Sequence, residues 1–195
     1  MDYRQEVLQR VTSRGYGLKF ATKNLRNDRE IVLAAVKSDG SMLKYASESL
    51  QNDKEIVEAA VLSEGLAILY ASQSLQNCEE MALKAVNQNP DIFNFLQWDL
   101  RTSYSFCSRA VKANMNNSAL IMDVVQFHGN LLKYASDKVK DDIEVVREAV
   151  KSNCCALLFA SERVKNDTLL LPRALKFCAM KGCGCIVKHV IITRS

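Results

Sequence analysis

A segment of about 25 residues repeats along this chain, and this repetition restricts the possible fold more than any other feature of the sequence. The run from Asn27 to Val32 recurs at residues 52–57 and, in altered form, at 77–82. Each run leads into an Ala-Val pair, as at Ala35 and Val36. Because a unit of this length cannot bury its apolar face alone, the period predicts helical repeats that stack on one another.

The pattern inside each repeat predicts two helices joined by a turn. The first helix carries an apolar stripe that includes Ile31, Val32 and Ala35. A glycine such as Gly40 follows and is expected to adopt a positive φ. In the second helix, the hydroxyl of Ser47 is expected to donate to the backbone carbonyl four residues earlier in its own helix. The predicted N-caps are Asn27, Asn52, Asn77, Thr102, Asn116, Asp141 and Asn166.

The spacing of the repeats is interrupted once. Residues 103–116 hold a first helix but no second one, because Asn116 restarts the pattern after fourteen residues. We therefore predict an all-α, solenoid-like array of about fifteen short helices in antiparallel pairs, with no sheet and with a break in stacking near 112–118. This array is expected to form one continuous domain of three parts, which are four repeats at 1–102, the truncated repeat at 103–116 and three repeats at 117–195.

One string within the repeat is specific enough to compare with known families. From Leu43 through Val61 it reads Leu-x-x-Ala-Ser-x-x-Leu-x-Asn-Asp-x-Glu-Ile-Val-x-x-Ala-Val. It resembles the short helical repeat catalogued as domain of unknown function 4116, strongly at 18–75 and 131–167. Such repeats are similar to those in proteins of protists, large viruses and intracellular bacteria. The resemblance implies the repeat fold and implies no catalytic residues.

Charge and cysteine content bear on the partner and the compartment. The formal net charge is +4. Residues 53–102 hold three basic and eight acidic side chains, a balance of −5, whereas residues 103–195 hold fourteen and eight, a balance of +6. Two interpretations remain open, steering of a partner or solvated helix faces. Seven scattered cysteines favour reduced thiols, and the sequence shows neither a secretory signal nor an apolar run of membrane-spanning length. We therefore expect a cytoplasmic protein.

Catalytic motifs are missing from the sequence. The two histidines are His128 and His189, and His128 precedes Gly129 in a column of solvated turn residues. The sequence contains no glycine-rich phosphate loop and no nucleophile elbow. We therefore expect no enzymatic activity, no catalytic residues and no cofactor.

Trp98 is the strongest candidate for a binding residue. It is the single tryptophan, and it occupies a column that is polar in the other repeats, as at Glu48 and Gln73. An exposed aromatic side chain of this kind is typical of an interface anchor, and Leu69 is expected to extend the same patch. The alternative is that this repeat has diverged and that Trp98 packs as a core residue.

A group of soft ligands lies near the carboxyl end of the sequence. Cys178, Cys183, Cys185 and His189 are four potential zinc ligands within twelve residues. Their spacing matches no established zinc module, and cysteines also serve as small core residues. Both interpretations remain open.

The expected function is that of a non-enzymatic scaffold that binds a protein partner on variable positions of a constant frame. If the resemblance to repeats of intracellular microbes extends to function, the chain is an effector delivered into a host cytosol. The alternatives are a helical-repeat protein that binds nucleic acid, which the acidic middle and the lack of repeated arginine or aromatic pairs disfavour, and a zinc-binding tail.

Overall fold

The computed structural model describes residues 3–14, 16–180 and 182. Over these residues the regular elements are all helical, which confirms the all-α repeat array. The α-helices are α1 (Tyr3–Arg14), α2 (Arg29–Ser38), α3 (Glu48–Gln51), α4 (Lys54–Ser63), α5 (Gln73–Gln76), α6 (Glu79–Gln88), α7 (Trp98–Thr102), α8 (Tyr104–Ala113), α9 (Ser118–Val125), α10 (Asp137–Lys140), α11 (Ile143–Ser152), α12 (Glu162–Lys165) and α13 (Leu170–Met180). The 3₁₀ helices are Tyr16–Phe20, Leu25–Asn27, Gly40–Tyr45, Gly65–Tyr70, Pro90–Phe95, Gly129–Tyr134 and Cys154–Phe159.

The second half of each repeat differs from the single helix that the sequence predicts. It consists of a 3₁₀ helix of five or six residues followed by a short helix of three to five residues, as at Gly40–Tyr45 and α3. The two are separated because Ala46 and Ser47 are extended. The Ser47 N–H donates to the Arg26 carbonyl of the preceding repeat at 3.0 Å, so it is not available to continue its own helix. The predicted antiparallel pairs of single helices are therefore wrong in this detail.

The N-caps of the long helices lie one residue later than predicted. Asp28, rather than Asn27, accepts from the backbone N–H groups of Glu30 and Ile31 at 3.1 and 3.3 Å. Asp53 does the same for α4, and Asp142 for α11. A carboxylate in this position satisfies backbone donors that have no partner within the helix.

Glycine recurs at matching positions of the repeats for a reason other than the predicted positive φ. Over the described residues, the only glycine with a positive φ is Gly182, so Gly40, Gly65 and Gly129 need no left-handed backbone. At Gly65 a Cβ would lie 2.8 Å from the Ala85 carbonyl oxygen of the next repeat. Gly40 and Gly129 make the same close approach twenty residues ahead. Glycine is therefore selected at these positions by the close packing of one repeat on the next.

The core of the array lies between the long α-helices and the 3₁₀ helices. Ile56, Val57, Ala60 and Val61 of α4 are completely buried, and the matching residues of α2 and α11 are buried too. Helix α4 packs against α2, α6 and two 3₁₀ helices. Burial of each large aliphatic side chain contributes about 1.5–3 kcal/mol. The buried stripe, which the sequence predicts, therefore holds neighbouring repeats together.

The chain forms two compact lobes, an N-terminal lobe (Met1–Leu100) and a C-terminal lobe (Arg101–Ser195). In the C-terminal lobe, residues 103–116 contain α8 and no 3₁₀ helix, and α8 packs directly against Gly129–Tyr134. The Ser136 N–H still donates to the Met115 carbonyl at 2.9 Å. The structure thus shows that residues 103–116 lack the second half of a repeat. The break in stacking near 112–118 and the boundaries of the predicted parts 1–102, 103–116 and 117–195 stay predictions.

Candidate functional site

An aromatic residue ends the 3₁₀ helix of every full repeat with both halves described. These six residues, which we call the aromatic row, are Phe20, Tyr45, Tyr70, Phe95, Tyr134 and Phe159. None of the six is buried, and Phe20 and Phe95 are 76% and 63% exposed. In the N-terminal lobe the 3₁₀ helices of neighbouring repeats contact one another, so Phe20, Tyr45, Tyr70 and Phe95 lie side by side at matching positions.

Lysine side chains lie on several of these rings. The Lys44 Nζ is 5.0 Å from the ring centroid of Tyr45 and 5.9 Å from that of Tyr70 in the next repeat. In the C-terminal lobe, Tyr134 has the ammonium groups of Lys112 and Lys133 at 4.4 and 4.8 Å. Attraction between a cation and a ring face orders both groups while leaving the ring edge open to solvent. The lysines Lys112 and Lys133 also lower the pKa of the Tyr134 hydroxyl, chiefly through a hydrogen bond with Lys133.

Both predicted binding residues adjoin the aromatic row. Trp98 is the first residue of α7, three positions after Phe95, and its side chain is 62% exposed. Leu69 precedes Tyr70 and is 37% exposed. The exposure of Trp98 removes the alternative that it is a core residue, and its role in binding stays a prediction. The signal that would have identified the whole row was the recurrence of Phe or Tyr at the same column.

Serine and asparagine side chains connect successive repeats next to this row. Ser47 and Ser49 donate to the Asn27 Oδ1 at 2.6 and 2.9 Å, and Ser72 and Ser74 donate to the Asn52 Oδ1 at the same two distances. In the C-terminal lobe, Ser161 donates to Asp141. The predicted bond from this serine column to the carbonyl four residues earlier is therefore wrong, because the hydroxyl donates to a side chain twenty residues earlier. The same oxygen caps its own short helix, since Ser47 Oγ accepts from the Leu50 N–H and Ser161 Oγ accepts from the Val164 N–H.

A groove of ≈ 970 Å³ lies over the first two repeats, beside the serine and asparagine side chains. Tyr45, Asn27 and Ser47 line it, together with the charged side chains of Lys23, Arg26, Lys44 and Glu48. Arg26 donates to the carbonyl oxygens of Ala21 and Lys19 at 3.1 and 2.9 Å. The groove thus combines an aromatic ring, amide groups and an excess of positive charge.

Most of the acidic side chains lie elsewhere, on the row of long α-helices. There they form ion pairs between neighbouring repeats, Arg4–Asp28 at 2.8 Å, Arg29–Asp53 at 3.2 Å, Lys54–Glu80 at 3.1 Å and Lys84–Glu58 at 2.7 Å. Hydrogen bonding to Arg4 lowers the pKa of Asp28, and hydrogen bonding to Lys54 and Lys84 lowers that of Glu80. Asp53, Glu58 and Glu80, three of the eight acidic side chains of residues 53–102, are therefore paired on the long helices and not beside the aromatic row.

The predicted metal site is only partly within the described residues. Cys178 is a buried free thiol in α13, whereas Cys183, Cys185 and His189 lie outside the described residues. In the part of the chain that the structure describes, no group of three or more potential ligands is placed to hold a metal ion. The expectation of reduced thiols holds for Cys78, Cys107, Cys154 and Cys178, whereas Cys155 is disulfide-bonded.

Two further groups that could have chemical roles have structural ones. Burial raises the pKa of the Cys107 thiol to about 12, so this thiol is protonated and unreactive at neutral pH. His128 is not the solvated turn residue that the sequence predicts. It is partly buried, its Nε2 lies 2.8 Å from the Thr102 carbonyl oxygen, and its ring meets the edge of Tyr104 at 5.4 Å.

Comparison with known proteins supports the repeat and adds no activity. None of the described helices combines the length and apolarity needed to cross a membrane. No curated protein and no solved structure matches the chain. The family described as domain of unknown function (DUF4116) matches at residues 3–51, 28–75, 53–101 and 117–165, and each match spans two repeats. These matches leave out the truncated repeat and cover well over half of the sequence, so the chain belongs to the DUF4116 family.

Proposed function

We propose that this chain is a non-enzymatic scaffold that binds a protein partner along the aromatic row of its N-terminal lobe. The observation that carries the proposal is the exposure of an aromatic side chain at the same position of each of these repeats. Repeat arrays bind partners through variable positions on a constant frame, and aromatic residues dominate the binding energy of protein interfaces.

Trp98 and Phe95 are the anchors in this proposal. They are more than half exposed, they lie three residues apart, and Leu69 and Tyr70 offer further apolar surface in the preceding repeat. An exposed apolar patch with a polar rim marks an interaction site in a folded protein. The polar rim here is supplied by the neighbouring serine, asparagine and glutamine side chains.

The proposal is tested by affinity capture from a host-cell lysate with wild type, Trp98→Ala and Phe95→Ala. We expect the partner to be lost from both variants, with at least about 2 kcal/mol of lost binding free energy for Trp98→Ala and an unchanged melting temperature. Leu62→Ala is the matched control, because Leu62 is a 52% exposed apolar residue on the long helix α4. Equal recovery of the same partners by all four proteins would refute the proposal.

A second candidate function is binding of single-stranded RNA, which Tyr134 favours. Its ring lies between the lysines Lys112 and Lys133, and aromatic rings with cations beside them are platforms for base stacking. Binding of oligouridylate that weakens steeply with salt and is lost in Tyr134→Ala would favour this function over the scaffold.

The proposed location is the cytoplasm, or a host cytosol if the chain is an effector. The free thiols Cys78, Cys107, Cys154 and Cys178 support a reducing compartment, whereas the disulfide of Cys155 counts against one. Fractionation of infected or expressing cells with an antibody to the chain tests this proposal, and recovery only from the culture medium would contradict it.

A further inference from the structure

We infer that an extended acidic peptide binds along the first three repeats, in the groove beside Asn27 and past the matching position of Asn52, held through the side-chain amides of both residues. This inference rests on the proposed function and specifies the chemistry of the partner. It depends on four observations, which are the orientation of the two amides, the charge beside them, the neighbouring rings and the spacing of the repeats.

The two amides are fixed with their nitrogen atoms available. In each, the Oδ1 accepts two serine hydroxyls, and the Nδ2 has no hydrogen-bond partner among the described residues. Asp141 occupies the same column, and its carboxylate can only accept hydrogen bonds. It also receives a serine hydroxyl, from Ser161. An acceptor therefore faces the serine at this position, which agrees with the amide oxygen of each asparagine facing the serines. Both asparagines are exposed, so each presents N–H donors to solvent at a fixed orientation.

The charge beside the Asn27 amide favours an acidic ligand. Lys23 and Lys44 line the groove, and neither forms an ion pair within the described part of the chain. Glu48 is the one acidic side chain of the lining, against three basic ones. A peptide carboxylate would therefore gain charge-assisted hydrogen bonds there, and a basic peptide would be repelled.

The spacing of the repeats selects the conformation of the peptide. Because Lys44 Nζ lies within 5.0 and 5.9 Å of the Tyr45 and Tyr70 centroids, these rings are at most about 11 Å apart, in agreement with the 8–10 Å between packed helices. A polyproline II helix advances about 9 Å in its three-residue turn, so every third residue meets an equivalent position. Two residues of a β-strand advance about 7 Å and four about 13 Å, and neither value falls within the 8–10 Å spacing of packed helices.

The backbone of a polyproline II peptide is also free of internal hydrogen bonds. Its carbonyl oxygens can therefore accept from the Asn27 and Asn52 amides at successive turns. Apolar side chains of the same peptide would lie against Phe20, Tyr45 and Tyr70, whose rings are exposed or half-buried. The ligand class is thus an extended peptide with acidic and apolar residues recurring at every third position.

In the described part of the C-terminal lobe, the member of this column that receives a serine hydroxyl is Asp141 and not an asparagine. Arg163 occupies the column of Ser49 and Ser74 and donates to the Asp141 Oδ1 at 3.0 Å. The outward-facing group there is therefore an acceptor already bound by a guanidinium group. This difference provides a natural control within one chain.

The test measures fluorescence polarisation of a labelled peptide of tandem Glu-Pro-Leu triplets with the full chain. We expect the double variant Asn27→Asp with Asn52→Asp to bind at least about tenfold more weakly than wild type at an unchanged melting temperature, because aspartate still accepts from the serines. The double alanine variant, which adds no charge, should also bind more weakly. Asp141→Asn should bind like wild type.

Three other probes define what would overturn the inference. They are the same triplets with lysine in place of glutamate, an alternating Glu-Leu peptide and oligouridylate, and each is expected to bind more weakly than the Glu-Pro-Leu peptide. Equal or tighter binding of any of them would overturn the inference, as would unchanged binding by the aspartate variant or no binding of the Glu-Pro-Leu peptide to wild type. The capture experiment with Trp98→Ala is independent of these results, so failure of the peptide site leaves the scaffold proposal standing.

Discussion

The two lobes use the same repeat but connect their repeats differently. In the N-terminal lobe, Arg4, Arg29 and Lys54 occupy the same column near the start of a long helix, and each reaches acids 24 or 26 residues ahead in the next repeat. In the C-terminal lobe the same column holds Ser118 and Ile143, and the ion pairs of α11 stay within that helix. The difference teaches that ion pairs between long helices are not needed at every junction of repeats, and that polar connections vary between copies.

The serine bonds show the same contrast. In the N-terminal lobe, Ser47 and Ser72 each reach an asparagine of the preceding repeat. In the C-terminal lobe, Ser136 follows the truncated repeat, and its buried hydroxyl has no hydrogen-bond partner in the described part of the chain. Its backbone N–H still bonds to the Met115 carbonyl. Loss of eleven residues from one repeat therefore removes a side-chain bond and preserves the backbone bond.

The largest expected effect comes from the glycine that both lobes share. Gly40→Ala and Gly129→Ala should each destabilise the chain by about 3 kcal/mol, because the new Cβ would collide with a carbonyl oxygen of the next repeat. Urea unfolding measures the loss. Cys154 fills this column in a later repeat and already carries a side chain, so Cys154→Ala should cost distinctly less. If Gly40→Ala unfolds at the wild-type urea concentration, the close approach of repeats is not a constraint.

A smaller effect is expected at the N-caps. Cys78 makes no side-chain cap although its backbone φ of −73° and ψ of 114° nearly equal those of Asp53, at −81° and 114°. Cys78→Asp should therefore stabilise the chain by about 1 kcal/mol, and Asp53→Ala should destabilise it by about 1–2 kcal/mol. The loss of stability in Asp142→Ala measures the contribution of a cap that forms no ion pair with the preceding repeat. A Cys78→Asp protein no more stable than Cys78→Ala would contradict the cap.

The smallest effect concerns pH. The pKa values of Asp28 and Glu80 are lowered by their basic partners, so these ion pairs stabilise the fold above the ordinary carboxyl pKa of about 4 and stop doing so as the pH falls below it. Replacing Arg4 and Lys54 by glutamine should therefore lower stability only slightly near pH 6, because exposed ion pairs contribute little, and should have no effect near pH 2.

A matched variant in the C-terminal lobe shows whether this pH dependence of stability belongs to the N-terminal lobe. Arg163→Gln removes the guanidinium that lowers the pKa of Asp141 in the C-terminal lobe. Unfolding free energies of all these variants, measured in urea at both pH values, give the comparison. A stability difference that persists at low pH would mean that the basic side chains act through packing and not through charge.

Some features of the fold were predictable because they depend on neighbouring residues along the chain. The buried stripe at Ile31, Val32 and Ala35 follows from helical periodicity, and the missing half of residues 103–116 follows from counting. The N-cap was misplaced by one residue because Asn27 and Asp28 are both good caps, and only the structure shows that Asn27 bonds to Ser47 instead.

The candidate site was predictable in part. The exposure expected for Trp98 is found, whereas the aromatic row is not evident from the sequence, because Tyr45 and Tyr70 lie among the apolar residues of the predicted second helix. In a regular α-helix these positions would follow the apolar stripe. In the 3₁₀ helices Gly40–Tyr45 and Gly65–Tyr70, which end at the aromatic residue, they are at the edge of the core instead.

The sequence by itself determined the helical class, the 25-residue repeat, the buried stripe and the position of the truncated repeat, because periodicity and capping act over a few residues. Only the tertiary structure decided why glycine recurs, where the serine hydroxyls bond and which aromatic side chains face solvent. Each of these depends on atoms about twenty residues away that are brought into contact by stacking, and a repeat examined alone contains no information about the surface of its neighbour.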